Sequence, residues 1–153
     1  MANTYLRIYL HIVFAVKNRN ALIATHWRPQ VHAYLSESLR QRGHLPLAVG
    51  GAGDHVHLLI SFSGKETLPD LVKNIKTAVT HFINNNRISV FKFEWQKGYG
   101  CFSYSHSQIE SVANYINNQE EHHRKVSLRD EMKRVLDNFG IEYDEQYIFD
   151  EPE

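Results

Sequence analysis

Two stretches of the chain alternate strictly between apolar and polar positions. In residues 5–14, Leu6, Ile8, Leu10, Ile12 and Phe14 fall on one side and Tyr5, Arg7, Tyr9 and His11 on the other. In residues 55–62, Val56, Leu58, Ile60 and Phe62 oppose His55, His57, Leu59 and Ser61. A period of two marks a β-strand with one apolar face. Elsewhere the period lengthens. Val31, Tyr34, Leu35 and Leu39 predict a helix with Thr25 as N-cap, Pro29 in its first turn and Gly43 at its end. A strand follows around residues 45–49, and Gly50-Gly51-Ala52-Gly53 turns it into the histidine strand as a hairpin. Leu68, Leu71, Val72, Ile75, Val79, Phe82 and Ile83 predict a second helix ending in Asn84-Asn85-Asn86. The last strand region is predicted over residues 91–104, interrupted by Lys97-Gly98-Tyr99-Gly100.

The order β-α-β-β-α-β predicts an α+β, ferredoxin-like fold: an antiparallel sheet with both helices on one face. The other face, carrying arginine, tyrosine and histidine, is then expected to be open. Such a face suits single-stranded nucleic acid, because bases stack on rings while arginine meets phosphate. Two C-terminal helices complete the prediction. The first starts at the capping box Ser107-Gln108-Ile109-Glu110 and carries the stripe Ile109, Val112, Ala113 and Ile116. The second starts at Ser127, buries Leu128, Met132, Val135 and Leu136, and stops at Gly140. Residues 1–153 are thus read as a single domain, with a core over 1–104, a helix region over 105–123, and a last helix with an acidic tail over 124–153.

Composition narrows the class. An apolar content of 42% and a charged content of 22% fit a soluble globular protein. No apolar run reaches membrane-spanning length and no leader is visible, so neither a membrane span nor a signal peptide is expected. The single cysteine, Cys101, cannot form an internal disulfide; a reducing cytoplasm and a packing role are expected. The 17 bases and 17 acids balance, but seven acids and no base lie between Asp137 and Glu153. The rest of the chain therefore carries an excess of seven positive charges and can attract a polyanion.

Candidate chemistry starts from His55-Val56-His57. One pleat places the two imidazoles ~6.6 Å apart along the strand, close enough to share a metal ion. Two histidines hold such an ion when oxygen ligands join them, and Gln119 offers a neutral carbonyl oxygen. The resulting dication could grip a phosphate and stabilise charge as it develops. Tyr115 lies one helical turn from Gln119, about 6 Å along the axis. A phenol is a weak nucleophile until activated, but its phosphodiester is energetic enough for the reaction to reverse. Such chemistry cuts and rejoins a nucleic-acid strand without ATP. His122 and His123 diverge by about 100° on a helix and are read as surface or DNA-contacting groups.

In combination these motifs resemble the HUH endonuclease superfamily, and within it the small single-tyrosine transposases of bacterial insertion sequences of the 200/605 type. The resemblance runs over nearly the whole chain. It rests on His55-Val56-His57 and Tyr115-Ile116-Asn117-Asn118-Gln119, with support from His11-Ile12-Val13-Phe14-Ala15-Val16-Lys17-Asn18-Arg19, Trp95-Gln96-Lys97-Gly98-Tyr99-Gly100 and Gln119-Glu120-Glu121-His122-His123. It implies a metal-dependent transposase acting on single-stranded DNA. Tyr115 would form a 5′-phosphotyrosine link and free a 3′-hydroxyl. His55, His57 and Gln119 would bind Mg²⁺ or Mn²⁺. The implied partners are DNA strands with hairpins at the element ends and a second copy of the chain in a homodimer, in which one subunit's tyrosine helix can complete the other's site. Arg7, Tyr9, His11, Lys73, Lys76 and Arg87 are the expected DNA contacts.

Other readings share these residues. The alternative is a non-catalytic single-stranded nucleic-acid-binding module derived from such a transposase. A histidine phosphoesterase is disfavoured, because Leu59 stands where a third alternating histidine would be needed and no convincing second histidine motif exists. A purely structural dimer leaves the polar strand face unexplained.

Overall fold

The computed structural model describes residues 3–150 and Pro152; Glu151 and Glu153, two acids of the expected tail, lie outside the described residues. Six elements follow in the expected order: β1 (Tyr9–Ala15), α1 (Arg28–Gln41), β2 (Leu45–Gly51), β3 (His55–Ser61), α2 (Leu68–Asn85) and β4 (Gly100–Tyr104). The strands form one sheet in the order β2-β3-β1-β4, and every neighbouring pair is antiparallel. This is the ferredoxin-like topology. No helix among the described residues is long and apolar enough to cross a membrane.

The apolar halves of the alternating strands face α1 and α2. Ile12 and Phe14 from β1 join Val56, Leu58 and Ile60 from β3 in a dry core with Val31, Leu35, Leu39, Leu71, Ile75, Val79 and Ile83. Burying each such side chain contributes about 1.5–3 kcal/mol, so this layer dominates the stability. Thr67 caps α2 by accepting from the Asp70 N–H at 3.2 Å. Cys101 packs against the same core, where burial pushes its thiol up to about 11, as a packing residue requires.

Four boundaries differ from expectation, the first being β1, which begins at Tyr9 and not at residue 5. Trp27, not Thr25, precedes α1, and no side chain caps it; Pro29 in its first turn needs no N–H partner and pre-sets φ. Residues 91–99 are not a strand beyond a single bridge between Val16 and Trp95. Their backbone is satisfied by a side chain instead: the Phe93 N–H donates to Asn84 Oδ1 at 2.8 Å, and Asn84 Nδ2 donates to the Phe93 carbonyl at 3.1 Å. The capping box is formed by Ser105 and Gln108, two residues before the expected one, because a 3-10 turn over His106–Gln108 precedes the next helix.

The expectation of an open second face is overturned. Three helices cover it: α3 (Ile109–Asn117), α4 (Gln119–His122) and α5 (Leu128–Asn138). Val112 and Ile116 of α3 pack on Ala48 and Leu59. Leu128 and Met132 of α5 pack on Val13, Ala15 and Phe102. The following segment is held as well. Arg129 donates to the Phe149 carbonyl at 3.3 Å, and Gln96 exchanges two backbone hydrogen bonds with Asp150 at 2.7 and 3.0 Å. The polar strand positions are therefore a buried layer, and their chemistry must be read as that of an interior site.

Candidate active site

Pairing with β1 and β2 on either side fixes β3, so His55 and His57 share one face of the sheet. His11 reaches the same place from β1. Its register partner is Leu59, which makes it a diagonal neighbour of His57. The two rings stack with centroids 4.9 Å apart, and His11 Nε2 lies 2.6 Å from His57 Nδ1. Asp54, just before the strand, accepts from His55 Nδ1–H at 2.7 Å.

A glycine lets the tyrosine helix sit down. A Cβ on Gly50 would stand 2.2 Å from the Ile116 carbonyl oxygen, so only glycine permits α3 this close to β2. That seating brings the Tyr115 ring edge-on to His57, with centroids 5.9 Å apart. One turn later Gln119 is fully buried, with Oε1 3.0 Å from His55 Nε2. The four residues expected to form the site, His55, His57, Tyr115 and Gln119, therefore meet within a single chain.

Glu131 joins them from α5, only 3% exposed. It accepts from the Tyr115 hydroxyl and, at 3.2 Å, from Gln119 Nε2, both on Oε2. His57 Nε2–H donates to its Oε1 at 3.1 Å. His122 and His123 each place Nε2 3.1 Å from one of its oxygens. Burial opposes charge on Glu131, but the imidazoles around it, His123 and His57 first, hold its carboxyl far below the usual range. Burial, with the carboxylate beside it, pushes the Tyr115 phenol well above its ordinary value. Burial likewise lowers His57 to about 4 and His11 to about 3, so both rings are neutral at pH 7. Without a cation the bonds run from His11 Nε2–H to His57 Nδ1 and from His57 Nε2–H to Glu131, with His11 Nδ1 left unpartnered; to ligate through Nε2, His57 would carry its proton on Nδ1 and donate it to His11 Nε2 instead.

The donor set suits a divalent cation. Asp54 holds the Nδ1–H of His55, and Glu131 fixes the Gln119 amide, so His55 Nε2 and the Gln119 oxygen face each other as two acceptors. Two facing lone pairs repel unless a cation or a proton lies between them. A carboxylate on the far nitrogen of a ligating histidine is also the usual support for a metal ligand. A cavity of about 340 Å³ leads to this cluster. It is lined by Tyr104, Val112, Tyr115, His122 and Arg134 among others, so the phenol can be reached from solvent.

The expected DNA contacts are placed differently. Tyr9 and His11 are 8% and 1% exposed, so neither offers a ring for stacking; the Tyr9 hydroxyl is bonded to His106 Nδ1 at 2.7 Å. Lys76 is committed internally, donating to the carbonyls of Gln96 at 3.0 Å and Gly98 at 2.6 Å. Arg7, Lys73 and Arg87 are exposed, but Lys73 and Arg87 belong to the α2 layer, across the sheet from Tyr115. His122 and His123 were read as surface groups; instead, their diverging rings meet the two oxygens of one carboxylate. Glu131 escaped notice, although it had a signal: it sits within the apolar stripe Leu128, Met132, Val135 of α5.

The comparisons with known proteins bear on this arrangement. The family described as "Transposase IS200 like" matches residues 4–119, a span that includes His55, His57, Tyr115 and Gln119 and ends before His123 and Glu131. No curated protein sequence matches the chain. Among solved structures, a candidate transposase from Deinococcus radiodurans R1 aligns with a TM-score of 0.60 at 21% identity, over 78% of this chain and 96% of that one. A REP-associated tyrosine transposase bound to a REP hairpin aligns with a TM-score of 0.60 at 16% identity, over 98% of this chain and 91% of that one. Both share the fold. With a family match spanning most of its length, from ahead of β1 to the buried glutamine beside the histidine pair, the chain belongs to the IS200-like transposases.

Proposed function

We propose that this transposase cuts and rejoins single-stranded DNA by transesterification through Tyr115, with a divalent cation, Mg²⁺ or Mn²⁺, held by His55, His57 and Gln119. The observation that carries the reading is the Tyr115 hydroxyl. It is bonded to the same carboxylate as His57, one turn from a glutamine oxygen 3.0 Å from His55. A nucleophile and a cation site are thus neighbours at the end of an open cavity.

The Tyr115 oxygen attacks the scissile phosphorus in line, a new phosphorus–oxygen bond forms to the phenol, and the bond to the 3′-oxygen breaks. The phenolic proton leaves along its hydrogen bond to Glu131 Oε2, which is too weak a base to keep it, and passes to water in the cavity, while the departing 3′-oxygen takes a proton from water. The products are a 5′-phosphotyrosine and a free 3′-hydroxyl, and attack by a 3′-hydroxyl on the ester reverses the step. When bound, the cation polarises the phosphoryl oxygens and neutralises their developing charge. His11 and Asp54 orient His57 and His55 through the nitrogens that face away from the site. Arg134, exposed on the cavity wall, is positioned to meet the phosphate backbone of an entering strand.

The partner that fits is a single strand adjoining a hairpin, in keeping with the hairpin bound by the structurally similar REP-associated protein. A homodimer remains part of the reading, with one difference: each chain supplies both its histidines and its tyrosine, so a dimer would carry two complete sites without exchanging helices. The test is a cleavage assay. End-labelled single strands carrying hairpins are incubated with Mg²⁺ or Mn²⁺ and run on a denaturing gel. Wild type is expected to give a labelled covalent adduct that is lost with chelator, and Tyr115→Phe to bind the strand without forming it. Binding without an adduct in wild type would instead favour the non-catalytic module.

A further inference from the structure

Two buried groups beside the site, Glu131 and His123, are not ligands in a two-histidine, one-amide cation site. A lone carboxylate in such surroundings is costly unless cations or donors surround it. His123 is the second. Its side chain is 7% exposed and its ring lies 4.3 Å from that of His55, centroid to centroid. Its Nε2 is 3.1 Å from Glu131 Oε1 yet makes no hydrogen bond, because the angles are wrong for one. A buried ring nitrogen that faces a carboxylate without bonding to it is free to share a cation with it. One donor atom from each of His55, His57, His123 and Glu131 lies within 4.8 Å of the other three.

We propose that His123 and Glu131 are metal ligands, and that with His55 and His57 they make a four-donor site selective for a transition-metal dication such as Mn²⁺ or Zn²⁺ over Mg²⁺. The inference rests on the reading of the site as a divalent-cation centre; it keeps His55 and His57, turns Gln119 from a ligand into a group that supports Glu131 Oε2, and adds the preference. Three imidazoles and one carboxylate suit borderline ions, whereas Mg²⁺ favours oxygen ligands and keeps its waters. The two oxygens of Glu131 divide the work: Oε1 faces the nitrogens of His57 and His123, and Oε2 faces Tyr115, Gln119 and His122. Glu131 therefore links the cation to the nucleophile. The four ligands come from β3, the end of α4 and α5, so an ion would tie two of the three covering helices to the sheet.

The test needs no DNA. Metal-free full-length protein is titrated calorimetrically with MnCl₂, ZnCl₂ and MgCl₂, and the same is done for Glu131→Gln and His123→Ala. Circular dichroism checks that each variant is folded. Wild type is expected to bind one Mn²⁺ or Zn²⁺ at least about tenfold more tightly than Mg²⁺, and each variant to lose about tenfold or more in Mn²⁺ affinity. Pulsed electron paramagnetic resonance of the Mn²⁺-loaded proteins is expected to detect one imidazole nitrogen fewer in His123→Ala than in wild type. Unchanged Mn²⁺ affinity in both variants, or Mg²⁺ bound as tightly as Mn²⁺, would overturn the inference. If the wild-type adduct persisted in that case, the proposed function would stand without it. No ion bound by wild type would overturn both the inference and the cation part of the function.

Discussion

Odd and even residues of β3 live in different chemistry. Val56, Leu58 and Ile60 are sealed in hydrocarbon under α1 and α2, while His55 and His57 on the same strand enter a polar cluster under α3, α4 and α5. Both layers are buried, but for different reasons. The apolar layer is held by area, and almost any well-shaped hydrophobe would serve. The polar layer is held by specific partners, and each group there is costly if its partner is removed. The helix layer across the sheet stabilises the strand, and the strand presents chemistry on its other side.

Large truncations on the apolar side break this comparison most forcefully. Phe14→Ala should cost about 3–5 kcal/mol, read as a fall in the denaturant midpoint, since Phe14 is fully buried against Trp95. A loss under about 1 kcal/mol would mean that the core is not where stability resides.

A change at the joint between sheet and tyrosine helix sharpens it. Gly50→Val forces α3 away from β2 at the Ile116 carbonyl. An overpacking cost of about 1–3 kcal/mol is expected, together with loss of the covalent adduct in protein that still folds. Retained adduct formation would show that Tyr115 does not depend on this seating.

The polar layer should also respond to acid. In the metal-free protein His57 and His11 titrate at about 4 and about 3, whereas in the unfolded chain they return to 6.5. Between those values the unfolded chain binds more protons, so their contribution is intact above about pH 6.5 and falls as pH drops. The slope should reach up to about 1.4 kcal/mol per pH unit for each ring. Urea midpoints measured between about pH 7 and pH 5 should fall, and His11→Gln should flatten the fall. A flat profile in wild type would mean that the rings are not buried neutral.

The smallest effect belongs to the far side. Arg87 holds φ of 50° just past α2, a conformation that suits glycine. Arg87→Gly should change stability by no more than about 1 kcal/mol, and toward stabilisation. Because Arg87 lies in the helix layer across the sheet from Tyr115, single-strand affinity in a filter-binding assay should be unchanged. A marked loss would return this residue to the DNA-contacting surface.

The sequence made the apolar layer legible because the signal is local: periods of two and of 3.6 name the buried faces of β1, β3, α1 and α2 directly. His55 and His57, and Tyr115 with Gln119, were legible for the same reason, as pairs at fixed spacing. What was hidden is contact across the chain. Glu131 lies 74 residues from His57 and looks, on its own helix, like one more acid in the first turn. The divergence of neighbouring rings on a helix argues against His123 as a partner of the site. That argument fails once one carboxylate from another helix offers an oxygen to each. The open sheet face was inferred from alternation, which reports that a face is polar and says nothing of what covers it.

The measurement that reaches the centre of the account is the identity of the covalently modified residue. Wild-type protein is incubated with single-stranded substrate and Mn²⁺, digested with protease and nuclease, and the nucleotide-bearing peptide is sequenced by mass spectrometry. The expected result is a nucleotide joined through its 5′-phosphate to Tyr115. An adduct on any other side chain, or one joined through a 3′-phosphate, would contradict the assignment.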